Sequence, residues 1–301
     1  MAEREKRPNL GGDFYTPLRY PGGKGRLGPW LASVIEHNNL SGGWYIEPYA
    51  GGAGAALYLL ANDYVDHIVI NDVDPSVHAF WWAVTKHPAE FIERIARTPV
   101  TITNWERQRD VLNNAPTTDR FDLGFATFFL NRTNRSGILS AGAIGGRRQT
   151  GHWTLDARYN KEVLSHRIRR IGAMAKRISV TCLDALDLLT YSAPGFPDKT
   201  LIYLDPPYFL KGSLLYRNFY VESDHVSIAR HVSAANYPVI VSYDNCIEVR
   251  KMYAGLEFDE LALVYSTHST RPLSNELVFY RNLLIPNAPK MTRSSKLTST
   301  L

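Results

Sequence analysis

The stretch at 200–208, TLIYLDPPY, restricts the fold of this chain more than any other part of the sequence. The apolar run at 201–204 is typical of a strand covered on both faces of a sheet. Pro206 and Pro207 end such a strand, because neither has a backbone N–H and each favours extended geometry in the residue before it. Asp205 is therefore predicted at the carboxyl end of the strand, the edge where open α/β sheets bind their ligands.

The residues at this corner favour a planar ligand that carries an amine. The Asp205 carboxylate and the Pro206 carbonyl only accept hydrogen bonds, and the Tyr208 ring offers a flat surface beside them. An exocyclic amine of a nucleobase fits, since two acceptors that hold both N–H bonds help to expose the nitrogen lone pair to an electrophile. The alternative interpretation is a proline-terminated turn with a surface aspartate.

A nucleotide-binding unit is predicted in the first quarter of the chain. Residues 44–49 resemble a strand, and the glycine-rich turn at 50–54 and a helix at 55–60 follow. The glycines do not spell the dinucleotide motif GxGxxG, but they allow a cofactor to approach the backbone closely. A second strand at 67–70 leads to Asp72, about 20 residues beyond the turn, where an acid commonly binds ribose hydroxyls.

Three further residues lie near the predicted ends of helices or strands. Lys24 and Asp184 have two interpretations each, whereas Asp74 has one. Lys24 begins a predicted helix, where its charge opposes the helix dipole, so we expect either a bound anion beside it or a solvated lysine. Asp184 follows a strand at 178–183 and is either a ligand for a cofactor amine or a helix N-cap. Asp74 precedes Pro75 and is interpreted as an N-cap.

The segment at 91–177 differs in composition from its flanks, with helical patterns, clustered arginines and glycine-bearing loops. Arginine beside Asn, Gln and Ser on such loops suits contacts to phosphates and base edges. A solvated helical face with a disordered loop is the alternative. The candidate nucleic-acid-binding residues are Arg132, Asn134, Arg135, Arg147, Arg148, Gln149 and His152.

The last third of the chain continues the α/β pattern. A helix is predicted at 224–236, a buried strand at 238–243, and two final antiparallel strands at 261–265 and 277–285. The loop at 211–220 is suited to closing over a substrate, and the loop at 266–275 is predicted near the pocket.

The bulk composition describes a protein with a large core and a basic surface. The chain has 301 residues, 45% of them hydrophobic, with a net charge of +5 and a pI near 9.1. A polyanionic partner is therefore plausible. Cys182 and Cys246 lack metal-ligand spacing, so we expect reduced thiols and no metal. With neither a signal peptide nor a bilayer-spanning run, a soluble, cytoplasmic protein with no membrane partner is expected.

Together these pieces resemble the Dam-like (D12 class) family of N6-adenine-specific DNA methyltransferases. The resemblance covers most of the chain, and it depends on the order of seven short motifs. They are RYPGGK (19–24), EPYAGGAG (47–54), IND (70–72), FFLNRTNRSG (128–137), CLDA (182–185), YLDPPY (203–208) and NEL (275–277).

The resemblance implies an α/β fold of the class I S-adenosylmethionine-dependent methyltransferase type. Its sheet is Rossmann-like and mostly parallel, with seven strands of which one is antiparallel, and a helical target-recognition subdomain is inserted. The implied domains are a mobile tail at 1–14, a catalytic domain at 15–92 and 176–286, the inserted subdomain at 93–175, and a disordered basic tail at 287–301.

The resemblance also implies the role of each site residue, with S-adenosyl-L-methionine as the cofactor. The implied catalytic residues around a flipped adenine are Asp205, Pro206, Pro207 and Tyr208. The implied cofactor-binding residues are Tyr20, Lys24, Glu47, Pro48, Gly51, Gly52, Gly54, Asp72, Asp184 and Asp205.

Several alternatives stay open from the sequence. The acceptor could instead be adenine in RNA, N4 of cytosine or a glutamine side chain, and a protein of another class would be a catalytically silent DNA-binding module. The implied partner is double-stranded DNA, with a cognate restriction enzyme as a companion, and a monomer or weak dimer is expected. The target sequence is not implied.

Overall fold

Seven strands form one sheet through the middle of the protein. The computed structural model describes residues 15–20, 23–209, 220–264 and 273–288. The strands, in chain order, are β1 Trp44–Glu47, β2 His67–Asn71, β3 Ile178–Thr181, β4 Thr200–Leu204, β5 Val239–Asp244, β6 Glu257–Val264 and β7 Leu273–Arg281. Their spatial order is β3-β2-β1-β4-β5-β7-β6.

The strand directions bring most functional side chains to one edge. Strands β1 to β5 pair in parallel, whereas β7 is antiparallel to both β5 and β6. The carboxyl ends of β1, β2, β4 and β5 therefore lie along the same edge as the first residues of β7. This confirms the predicted mostly parallel seven-stranded sheet with one antiparallel strand.

Helices cover both faces of the sheet. Seven α-helices precede β3 in the described chain: α1 Gly28–His37, α2 Gly54–Ala61, α3 Pro75–Lys86, α4 Pro88–Arg97, α5 Ile102–Asn113, α6 Arg120–Thr133 and α7 Lys161–Ala173. Three described helices follow β3: α8 Ala185–Asp187, α9 Glu222–Ala234 and α10 Ile247–Met252. A π-helical turn, Leu188–Ser192, continues α8.

Helix starts follow from their capping residues. The Asp74 carboxylate accepts a hydrogen bond from the backbone N–H of Ser76, and Pro75 is the first residue of α3, as predicted. Asp119 caps α6 in the same way. Each cap satisfies a backbone donor that has no partner within its helix.

The sheet divides the buried side chains into two cores, because successive residues of a strand point to opposite faces. Tyr45 and Tyr203 join the core beneath α1, α2 and α3, whereas their neighbours Ile46 and Ile202 join the core beneath α9 and α10. All five residues of β4 are buried. The strand that carries the DPPY motif is thus covered on both faces, as its apolar run predicts.

The segment between β2 and β3 is helical in the described structure. Helices α4, α5, α6 and α7 lie there, and α6 packs along α3. Phe80 of α3 contacts Phe91 of α4 and Phe128 of α6, so these helices share a core with the sheet. The predicted boundary between residues 92 and 93 falls within α4, and the division into catalytic and target-recognition units stays a prediction.

The final hairpin differs from the predicted one in its bounds. Strands β6 and β7 both begin four residues before the predicted starts at 261 and 277. β6 is an edge strand, and its polar start does not resemble a buried strand in sequence. The backbone pairing of Glu257 with Tyr280 nevertheless extends the ladder.

Among the described helices, none has the length and apolar character needed to cross a bilayer.

The close approach of α3 and α6 gives a stability prediction. A Cβ atom at Gly124 of α6 would lie 2.5 Å from the Ala79 carbonyl oxygen of α3. We expect Gly124→Ala to lower the free energy of unfolding by about 1–3 kcal/mol, because the helices must move apart. Gly195→Ala is the control, since no described atom lies within 4 Å of its Cβ position. Equal urea unfolding curves for the two variants would contradict the prediction.

Candidate active site

A buried ammonium lies between two carboxylates at the carboxyl end of β4. Lys24 Nζ is 2.7 Å from Asp205 Oδ1 and 3.3 Å from Glu276 Oε2. The Lys24 side chain is 4% exposed and that of Glu276 is 1% exposed. We call Lys24, Asp205 and Glu276 the buried charge cluster. Opposite charges at this distance in a poorly solvated site stabilise one another's ionised forms.

The cluster changes the interpretation of Lys24. Lys24 does begin a helical turn, Lys24–Leu27, as predicted. Its side chain, however, is buried rather than solvated, and carboxylates of the protein itself compensate its charge. Although burial lowers its pKa, Asp205 and Glu276 outweigh that effect and raise the pKa of Lys24 well above its usual value. Lys24 is thus a cation in the site.

The two oxygens of Asp205 have different environments. Oδ1 accepts hydrogen bonds from Lys24 Nζ at 2.7 Å and from Ser242 Oγ at 2.9 Å. The Tyr203 hydroxyl lies 2.8 Å from Ser242 Oγ. Among the described residues no donor contacts Oδ2, and the Asp205 side chain is 23% exposed. One oxygen is therefore fixed by the protein while the other is available to a ligand.

The segment after Asp205 is fixed by hydrogen bonds from two other strands. Tyr208 is buried, and its hydroxyl donates to Glu276 Oε1 at 2.5 Å. The backbone N–H of Phe209 donates to Asp244 Oδ1 at 2.9 Å. Pro206 is buried and Pro207 half-buried between these contacts. The structure thus brings all four predicted catalytic residues to one corner, and their catalytic roles stay predictions.

The sequence-based interpretation gave Glu276 no role. It lies in β7, where it pairs in register with Asp244 of β5. The only sequence signal was its place in the NEL motif at 275–277. Its hydrogen-bond partner Tyr208 is more than 60 residues away in the chain.

Glu47 is a second buried carboxyl near Asp205. Its Oε1 accepts from the Tyr45 hydroxyl and from the Ala56 backbone N–H, both at 3.1 Å. Burial raises the pKa of Glu47 to about 8, although these two hydrogen bonds oppose the rise and the charge of Asp205 adds to it. Glu47 therefore connects β1 to the first turn of α2, beside the glycine-rich turn.

The glycine-rich turn packs closely against two aromatic side chains. A Cβ atom at Gly51, where φ is +45°, would lie 2.6 Å from the Tyr20 ring, and one at Gly52 would lie 3.2 Å from Tyr20 Cβ. Trp81 Nε1 donates to the Gly51 carbonyl at 2.8 Å. Only glycine fits beneath the ring at Gly51. The structure thus places Tyr20, Gly51 and Gly52 together, and their cofactor-binding roles stay predictions.

Gly54 joins this set through the turn that carries Lys24. A Cβ atom at Gly54 would lie 3.0 Å from the Cα atom of Gly25. The start of α2 and the turn Lys24–Leu27 are therefore in backbone contact, which fixes Lys24 relative to the glycine-rich turn.

Asp72 lies at the predicted position after β2. Its two oxygens accept from the backbone N–H groups of Gly51 and Asp74, each at 2.9 Å. Burial raises the pKa of Asp72 to about 7, against the effect of those hydrogen bonds. Each carboxylate oxygen can accept a further bond, so the residue can still bind ligand hydroxyls.

Asn71 ties together the loops that follow three neighbouring strands, a role that the sequence did not indicate. Its amide donates to the carbonyls of Pro48 and Leu183, both at 2.9 Å, and its oxygen accepts from Thr181 Oγ1 and from the Leu183 N–H. Pro48 is buried and is held through this contact. The edge that would bind a cofactor is thus preformed.

Asp184 caps α8, as one of its two interpretations predicts. The carboxylate accepts from the Leu186 backbone N–H at 2.8 Å, and the side chain is exposed. Burial raises the pKa of Tyr220, the hydrogen bond from Tyr49 opposes that rise, and the charge of Asp184 adds to it. The contact to a cofactor amine stays a prediction.

The motif at 128–137 is held against the segment that leads to Lys24. The Asn131 side chain exchanges hydrogen bonds with both the N–H and the carbonyl of Arg19, at 2.7 and 2.8 Å. Asn134 is fully buried, accepts from Trp105 Nε1 and donates to the carbonyls of Ile138 and Leu139. Its side chain thus holds the protein's own loop, and its predicted contact with DNA stays a prediction.

Gln149 also has a structural role. Its side-chain nitrogen donates to the Ile144 and Gly146 carbonyls, and its oxygen accepts from the Leu155 N–H. These bonds fix the loop that presents the exposed side chains of Arg147, Arg148 and His152. Arg147 lies 3.7 Å from Glu106, and Arg135 is also exposed. The DNA contacts of these four residues stay predictions.

Arg132 belongs to a group of arginines that the sequence did not bring together. Its guanidinium donates to the carbonyls of Arg158 and Pro17. Burial, together with the nearby charges of Arg19, Arg167 and Arg158, lowers the pKa of Arg132 to about 9. Among the described residues no salt bridge to a carboxylate involves these four, which we call the arginine cluster.

Four predictions lie largely or wholly outside the described residues. They concern the tail at 1–14, the loop at 211–220 up to residue 219, the loop at 266–275 up to residue 272, and the tail at 287–301 from residue 289. In the described part of the chain, no group of three or more His, Cys, Asp or Glu residues is arranged to hold a metal ion.

Glu47 gives a pH prediction. A carboxyl whose pKa rises from 4.5 unfolded to about 8 folded stabilises the protein fully below pH 4.5, and that contribution is lost as the pH rises to about 8. We expect Glu47→Gln to lose less stability than wild type between pH 5 and 8, as measured by urea unfolding. Glu36→Gln, at an exposed site of α1, serves as the control. Parallel pH profiles for wild type and Glu47→Gln would contradict the assignment.

Comparisons with known proteins identify the family of this chain. The model of the D12 class N6 adenine-specific DNA methyltransferase family matches residues 20–267. No curated protein sequence matches the chain significantly. The chain aligns with a solved structure described as a putative class I S-adenosylmethionine-dependent methyltransferase from Listeria monocytogenes, at a TM-score of 0.38 and 11% identity, over 91% of this chain and 65% of that one. Because the family model covers most of the chain, this protein belongs to the D12 class of N6 adenine-specific DNA methyltransferases.

Proposed function

We propose that this protein transfers a methyl group from S-adenosyl-L-methionine to the N6 amine of an adenine in double-stranded DNA. The observation that carries the proposal is the asymmetry of Asp205 at the end of β4. Lys24 and Ser242 occupy its Oδ1, whereas Oδ2 has no donor among the described residues. A carboxylate oxygen held in this way can accept one N–H of a planar amine.

The target-base pocket would be formed by the residues after β4. The Pro206 carbonyl would accept the second N–H of the amine, and the Tyr208 ring would stack beside the base. An adenine in a duplex cannot reach a carboxylate at the end of a strand, so the base must first leave the stack. Positioning of the amine would supply most of the rate acceleration.

The residues at the sheet edge suit the cofactor that the family implies. Asp72 offers acceptors for ribose hydroxyls, and the Gly51–Gly52 turn lets a ligand approach the backbone. Glu47, Pro48, Gly54 and Tyr20 border the same turn, and Asp184 lies after the neighbouring β3. When bound there, S-adenosyl-L-methionine supplies an electrophilic methyl group.

The proton balance does not require a strong base. The amine gives up one proton as or after it is methylated, and Asp205 Oδ2 would be the nearest carboxylate oxygen to receive it. Lys24 Nζ lies 2.7 Å from Asp205 Oδ1, so its hydrogen bond leaves Oδ2 for the amine.

The arginine cluster supports DNA as the substrate. Arg19, Arg132, Arg158 and Arg167 bring four positive charges together without a carboxylate in a described salt bridge, and phosphates would offset their mutual repulsion. Arg19 directly precedes Tyr20, which covers the glycine-rich turn. A DNA backbone on this surface would therefore lie beside the site.

The remaining expectations from the sequence belong to the same proposal. The enzyme would act in the cytoplasm as a monomer or weak dimer. Its methylation of DNA would protect that DNA from a cognate restriction enzyme. The rival methyl acceptors are adenine in RNA, N4 of cytosine and a glutamine side chain. The rival function of another class is that of a catalytically silent DNA-binding module. The preformed set of Lys24, Asp72 and Asp205 favours catalysis over a silent role.

Asp205→Asn tests the reaction with little change in shape. The asparagine can still accept from Lys24 and Ser242 through its oxygen, but it presents an NH2 group where the amine must donate, so we expect methyl transfer to fall at least about 100-fold. The measurement is transfer of labelled methyl groups to double-stranded DNA, RNA and protein in parallel. Asp198→Asn, exposed in the loop before β4, is the control. Unchanged transfer by Asp205→Asn would exclude the proposed pocket.

Charge-neutralising variants test the DNA surface. We expect Arg158→Gln, and separately Arg147→Gln with Arg148→Gln, to weaken DNA binding. The slope of log affinity against log salt should become shallower by about 0.9 for each phosphate that the variant no longer neutralises. Arg177→Gln is the matched control, because Arg177 pairs with Asp63 at the opposite edge of the sheet. A variant whose affinity and salt slope match wild type does not contact DNA through that residue.

A further inference from the structure

Glu276 is a buried carboxyl group at the edge of the sheet where the ligand site lies. Because β7 runs antiparallel to β5, its first residues lie beside the carboxyl end of β5, and Glu276 pairs in register with Asp244. The residue has almost no exposed surface. A carboxyl group in such a place destabilises the fold unless it is paired and hydrogen-bonded.

The partners of Glu276 are two residues of the proposed pocket. Oε1 accepts from the Tyr208 hydroxyl, and Oε2 lies 3.3 Å from Lys24 Nζ. Lys24 Nζ also lies 5.7 Å from the centroid of the Tyr208 ring and 2.7 Å from Asp205 Oδ1. Glu276 thus closes a ring of contacts that joins the base-stacking side chain to the carboxylate.

A purely structural ion pair does not explain this arrangement well. One ammonium and one carboxylate would suffice for charge balance, and Asp205 already provides that carboxylate at the shorter distance. Burial raises the pKa of Glu276, while Lys24 and the Tyr208 hydrogen bond oppose the rise. Tyr203 and Tyr208 are the other titratable groups that face the buried charge cluster. A second buried carboxyl is a stability cost that is typical of functional sites.

We propose that Glu276 is a positioning residue for methyl transfer, which fixes the Tyr208 ring and the Lys24 ammonium in the geometry that Asp205 requires. The inference rests on the proposed function. Glu276 does not touch the reacting atoms. It holds the hydroxyl end of Tyr208, so the ring cannot tilt away from the pocket without breaking that hydrogen bond.

Glu276→Gln is the direct test. The amide oxygen can still accept from Tyr208, but the amide carries no charge for Lys24, so the ring and the ammonium are held less firmly. We expect kcat to fall about 10- to 100-fold, with a smaller change in KM for the cofactor. Glu260→Gln on the neighbouring β6, whose carboxylate pairs with Arg250, is the matched control and should keep the wild-type kcat.

Tyr208→Phe probes the same bond from its other end. We expect a similar decrease in kcat, and Glu276→Gln should cause a smaller decrease in the Tyr208→Phe background than it causes alone, because one change removes and the other weakens the same Tyr208–Glu276 contact. Independent, additive decreases would overturn the inference. Tyr208→Phe also keeps the test decisive if Glu276→Gln does not fold.

A readout without catalysis separates this inference from the proposed function. With 3-fluorotyrosine at position 208, the fluorine NMR signal reports the ring environment in the free protein. We expect one sharp signal in wild type and in Glu260→Gln, and a shifted or broadened one in Glu276→Gln. An unchanged signal in Glu276→Gln would overturn the positioning role, whereas a changed signal with no methyl transfer by wild type would overturn the proposed function alone.

Discussion

The site depends on one buried cation, the Lys24 ammonium. It contacts Asp205 and Glu276, and through them it connects a turn near the amino terminus, the end of β4 and the start of β7. Removing the Lys24 charge would leave the buried Glu276 carboxylate without its cation, at a cost of about 3–5 kcal/mol. The ion pairs of Lys24 with Asp205 and Glu276 therefore also hold three distant parts of the chain together.

The direction of the strands decides which side chains can take part. Parallel strands place Glu47, Asp72 and Asp205 at one edge, and the reversed β7 adds Glu276 to that edge from the opposite direction. Asn71 then fixes the loops after β1, β2 and β3 to one another. The edge is preformed, so ligand binding would cost little conformational entropy in the protein.

The helical segment and the catalytic edge are coupled through the peptide segment before Lys24. Asn131 of α6 holds the backbone of Arg19, and Arg167 of α7 donates to the Thr16 carbonyl. The arginine cluster surrounds this segment, and Tyr20 at its end covers Gly51. Contact with a polyanion on the outer surface would therefore act directly on the backbone that positions the glycine-rich turn and Lys24.

The sequence by itself determined the strand that carries Asp205, the glycine-rich turn, the cap at Asp74 and the position of Asp72, because each depends on a local pattern of apolar residues, prolines or glycines. It also determined the family, through motifs in a fixed order. Only the tertiary structure decided that Lys24 is buried, that Glu276 faces it, that Asn134 holds a loop and that four arginines meet. The contacts of the buried charge cluster join residues that are 181 or more positions apart, and no local pattern records which distant partner satisfies a buried charge.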